Sequence, residues 1–86
     1  MRTIWKYELN PGRNNIELPA EFIALSVQIQ NNTPCLWCLV ETENILVNRF
    51  FYVFSTGGHI DSELNLKFIG TFQSTWMVFH LFEVVL

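Results

Sequence analysis

This sequence predicts an all-β chain, folded as a small antiparallel sandwich or open barrel of about six strands. Three observations carry that prediction. Phe22 to Gln30 alternates apolar and polar residues with the two-residue period of a half-buried strand. Aromatic and β-branched runs such as Arg49 to Phe54 are bounded by Gly, Pro and Asn clusters. No segment sustains a helical period. The 86 residues make one domain, 1–86, in the size range where a single core is only just sufficient.

Taken in order, Thr3 to Leu9 places Trp5, Tyr7 and Leu9 on one face of a first strand and Ile4, Lys6 and Glu8 on the other. Asn10 to Asn15 (N-P-G-R-N-N) reads as a turn, and Ile16 to Pro19 as a short extended piece ended by proline. In Phe22 to Gln30 the period turns Ile23, Leu25, Val27 and Ile29 inward and Ala24, Ser26, Gln28 and Gln30 outward. Asn31 to Pro34 closes a hairpin into the strand Cys35 to Thr42, which is apolar on both faces until Glu41 and therefore central or covered by a second subunit. Glu43 to Asn48 is a connection without a clear pattern. Leu66 to Gln73 is a further strand in which Gly70 marks a bulge or close backbone approach. The last strand, Thr75 to Val84, carries Trp76, Val78, His80, Phe82 and Val84 on one side and Met77, Phe79, Leu81 and Glu83 on the other.

Half of the residues are hydrophobic and 15% are charged, against roughly 25% in an ordinary soluble domain. So small a chain cannot bury that much apolar surface alone, which predicts a homo-oligomer. Eight acids and five bases leave a net charge of −3, and the bases Arg2, Lys6, Arg13, Arg49 and Lys67 are scattered, so neither DNA nor RNA is an expected partner. The most apolar segment, Trp76 to Leu86, is short and holds His80 and Glu83, and the start lacks the apolar core of a signal peptide. A cytoplasmic protein without a membrane span is the expectation.

Cys35 and Cys38 have redox-motif spacing but lie in a strand, where positions three apart face opposite ways. They read as buried small hydrophobes, with no metal site. Catalysis has no constellation either: Ser55, His59 and Asp61 crowd into one loop without an elbow motif, so an enzyme is not expected and no cofactor is called for. Ser55-Thr56-Gly57-Gly58-His59 admits two readings. Paired glycines most often simply end a strand, and they also let backbone N–H groups approach a ligand oxygen or phosphate. Trp37 serves equally as a packing anchor or a stacking surface for a flat base.

Several stretches together resemble a family of small phage and prophage proteins of unknown function: T-I-W-K-Y-E-L at Thr3 to Leu9, S-V-Q-I-Q at Ser26 to Gln30, P-C-L-W at Pro34 to Trp37, F-Y-V-F-S-T-G-G-H-I at Phe51 to Ile60, F-I-G-T-F-Q at Phe68 to Gln73 and M-V-F-H-L-F-E at Met77 to Glu83. The resemblance covers almost the whole chain. It departs from the family pattern at the second glycine before His59 and at Cys38, where the family has alanine. It implies a phage origin and, by analogy with other small phage proteins, sequestration of a nucleotide-like signalling molecule to counter host defence. Under that expectation Ser55, Thr56, Gly57, Gly58 and His59 hold phosphate or ribose oxygens, Gln28, Gln30 and Arg49 add polar contacts, and Trp37 stacks. The alternatives are a protein-binding inhibitor of a host enzyme and an accessory phage protein without a ligand.

Overall fold

A computed structural model describes residues 1–86 and contains seven strands and no helix. They are β1 (Arg2–Glu8), β2 (Gly12–Pro19), β3 (Ile23–Gln30), β4 (Thr33–Glu41), β5 (Leu46–Ser55), β6 (Leu66–Gln73) and β7 (Val78–Val84). All pairings are antiparallel, in a three-stranded sheet of order β1-β4-β3 and a four-stranded sheet of order β2-β5-β7-β6. The all-β expectation holds, as an open sandwich. No helix is long and apolar enough to cross a membrane.

β2 starts earlier than the sequence reading, which has only Ile16 to Pro19 as extended. The sequence reads Asn10 to Asn15 as a turn, yet only Leu9, Asn10 and Pro11 separate β1 from β2. The reversal fits so few residues because Gly12 adopts φ +78° and the Asn14 side chain folds back on the turn. Its oxygen accepts from Asn10 N–H at 2.8 Å, and its amide donates to Asn10 O at 2.9 Å and Gly12 O at 3.1 Å. Asn14 thus does turn chemistry from inside a strand.

The hairpin at Asn31 and Asn32 matches the expectation. Both residues take positive φ (51° and 64°), as a two-residue loop matched to strand twist requires, and Gln30 pairs with Thr33. β4 is the central strand of its sheet. Cys35 and Cys38 are buried on its opposite faces as free thiols. β5 begins at Leu46, earlier than the aromatic run suggests, and lies between β2 and β7.

Strict alternation in Phe22 to Gln30 fails at one place. A bulge between Ala24 and Ser26 inserts Leu25 as an extra residue, so Ala24, Val27 and Ile29 turn to the core while Ile23 and Leu25 are exposed. The core lies between the layers around Leu18, Leu36, Phe51 and Leu81, all fully buried. Burying one such side chain contributes about 1.5–3 kcal/mol.

Candidate functional site

The residues named from sequence fall into three separate places. Ser55 to Gly58 form a β-turn closed by Gly58 N–H to Ser55 O at 2.9 Å, with Gly57 at φ +82°. Thr56 N–H donates to Val78 O at 3.0 Å, so two of the loop's backbone donors are engaged within the fold. Gln28, Gln30 and Trp37 belong to β3 and β4 of the smaller sheet. Gln28 donates to Ser26 Oγ at 3.3 Å, and Gln30 Oε1 accepts from Lys6 Nζ at 2.8 Å. Arg49 sits toward the other end of β5 from Ser55. One chain does not bring these nine residues into one pocket.

His80, rather than His59, is the imidazole fixed by structure. Its Nε2 lies 2.7 Å from Thr56 Oγ1 and its Nδ1 3.0 Å from Thr71 Oγ1, which ties the glycine loop to β6 and β7. His59 is exposed.

A long concave feature of the molecule is the seam between β3 and β6, edge strands of different sheets that lie side by side without a ladder of hydrogen bonds. Residue numbers rise together along the seam. Ala24 faces the region of Lys67 and Ile69, Val27 faces Gly70, and Ile29 faces Gln73. The two strands therefore run in the same direction. Each carries a bulge here, at Leu25 in β3 and at Ile69 in β6. Bulges interrupt an edge and bend it, so the neighbouring strands cannot zip together.

The middle of the resulting groove has a volume of about 580 Å³, and Ser26, Gln28, Thr71 and Gln73 are among its lining residues. It continues past Asn32, Ser74 and Thr75 at one end, with a further 320 Å³ or so. At the other end lies a niche of about 340 Å³ bordered by Phe22, Arg49, Lys67 and Glu83. These sizes suit a small ligand.

The niche is electrostatically unusual for a sandwich interior. Glu83, only 6% exposed, accepts from Arg49 Nη1 at 2.5 Å. The Arg49 guanidinium also lies 5.4 Å from the Phe22 ring centre, and Lys67 stands opposite Glu83 in the β6–β7 register. Deeper in, burial pushes the Cys38 thiol up to about 12, with the Glu83 charge a second cause. The Tyr7 hydroxyl is buried without a partner and its pKa is raised, first by burial and then by Cys38.

Of the residues expected to bind, Gln28 and Arg49 line the seam. Glu83, Phe22 and Lys67 were not identified as site residues from sequence. Glu83 alone left a signal, as an acid on the otherwise apolar Met77-Phe79-Leu81 face of the last strand.

Comparison with known families gives one match: a domain of unknown function, DUF7352, over residues 1–86. No curated protein and no solved structure matches the chain.

Proposed function

We propose that this chain, which belongs to the DUF7352 family over residues 1–86, is a phage-encoded homo-oligomeric binding protein that sequesters a small nucleotide-like signalling molecule and so blunts a host defence. The phage setting rests on the sequence resemblance. The observation that carries the binding reading is the β3–β6 groove, where amide and hydroxyl residues lead to a niche bordered by Phe22, Phe68, Arg49, Lys67 and Glu83. Such a groove suits a ligand with sugar and phosphate oxygens at one end and a flat base at the other.

Holding rather than cleaving the ligand is supported by the state of its most reactive groups. Glu83 is tied to Arg49, and both nitrogens of His80 are bonded to threonine hydroxyls. Assembly is supported by the outer face of the larger sheet. Tyr52 stacks on Phe54 at 4.4 Å, Phe54 and Phe68 each meet Phe82 edge-on, and Phe68 is 57% exposed.

Native mass spectrometry with a panel of cyclic dinucleotides and ADP-ribose derivatives tests the reading. The oligomer should gain a nucleotide mass that is released unchanged on denaturation. Gln28→Trp, which fills the groove, should weaken uptake at least roughly tenfold. A chain that takes up none of the panel does not have this function, and release of an altered nucleotide marks an enzyme instead.

A further inference from the structure

The niche at the charged end of the seam carries more specificity than an anion site requires. A cradle for phosphate alone would be cationic throughout, yet its most buried charged side chain is a carboxylate, Glu83. An ionised carboxylate is acceptor-only, with about four lone-pair positions. Its one protein partner among side chains is Arg49 Nη1, at 2.5 Å, which leaves accepting capacity beside a bound donor. The Arg49–Glu83 pair therefore combines guanidinium donors with a carboxylate that has acceptor positions to spare. Phe22, half-buried against Phe51 with ring centres 6.1 Å apart, supplies a flat wall. Lys67, exposed at the rim, makes no ion pair and lies one strand away from Glu83.

We infer that this niche reads a guanine base, with Glu83 accepting from N1–H and the exocyclic N2 amine, Arg49 donating to O6 and Phe22 stacking on the ring. The inference rests on the seam being the nucleotide site proposed above. Its chemical ground is the order of groups along each base edge. Guanine offers an acceptor followed by two adjacent donors, the complement of the pair. Adenine, cytosine and uracil each set a ring or carbonyl acceptor where a carboxylate oxygen would oppose it, and two facing acceptors repel. Discrimination of this kind is steep, because a mismatched base sets an acceptor against the remaining lone pairs of a buried carboxylate.

Calorimetric titration of the purified oligomer with cyclic di-GMP, cyclic di-AMP, GMP and IMP tests it without altering the protein. Guanine compounds should bind at least about a hundredfold more tightly than their adenine counterparts. IMP, which lacks the N2 amine, should bind about tenfold more weakly than GMP. Glu83→Gln, which replaces one acceptor with a donor, should erase the guanine preference while leaving general nucleotide affinity within reach of measurement. Equal binding of guanine and adenine compounds, or of GMP and IMP, overturns the guanine assignment and leaves the seam as a nucleotide site. Absence of binding by all four, with none of the wider nucleotide panel taken up, overturns both.

Discussion

Cys38 is buried between the layers, with its thiol pushed from an ordinary value of 9.0 up to about 12. At neutral pH it is a protonated, unreactive group, the opposite of a redox cysteine. The consequence for stability has a definite sign. Below pH 9 the folded and unfolded chains both hold the proton. Between about 9 and about 12 the unfolded chain releases it while the folded chain keeps it, so stability falls as pH rises, by at most about 1.4 kcal/mol per pH unit. Tyr7, whose pKa is raised in the same way, adds to the fall. Urea midpoints followed from about pH 8 to about pH 11 should decline clearly less steeply in Cys38→Ala than in the parent. Parallel slopes would remove Cys38 as the source. Part of this was legible in the sequence, since strand spacing separates Cys35 from Cys38. The Glu83 charge that adds to the shift comes from a strand far along the chain, and no local pattern reports such a neighbour.

Among the elements, β3 and β6 approach closely in the seam at Gly70. A Cβ there would lie 2.8 Å from Val27 Cγ1, inside any normal contact, and a β-branched side chain has little freedom to move aside. Gly70→Ala should therefore destabilise the sandwich by about 1–3 kcal/mol. Val27→Ala should recover part of that loss when the two changes are combined. Strict additivity in a double-mutant cycle would show that the strands do not touch there. The sequence marked Gly70 as a bulge or close approach, and it is next to one and takes part in the other. Leu25 gave no such warning: an extra residue in a strand changes neither composition nor hydrophobicity, only which side chains face inward. The same limit applies to the groove. Gln28 and Arg49 were visible as polar residues in strands, but the seam that brings their surroundings together depends on two bulges and on the pairing of distant strands.

As a whole the molecule is a slab of 39 × 33 × 15 Å with two broad faces. The composition leads us to expect faces too apolar to stay bare; exposed apolar side chains are spread from Ile4, Trp5, Ile23 and Leu25 to Trp76, and Phe68 is the exposed member of the aromatic set on the larger sheet. Phe68→Glu, at the exposed end of the set, should lower the mass measured by sedimentation to that of a smaller species without unfolding the chain. An unchanged mass would place the contact elsewhere. The topology also bears on the order in which the slab forms. Only β3–β4 and β6–β7 are neighbours in both sequence and sheet, whereas β1–β4, β2–β5 and β5–β7 join more distant segments. Closing a long loop costs more chain entropy than closing a short one, so these two hairpins are the pairings the unfolded chain can reach first. They are also the two walls of the groove. A ligand site at the junction of two locally encoded hairpins takes its shape from the cheapest folding steps, and the long-range pairings need only hold those hairpins side by side.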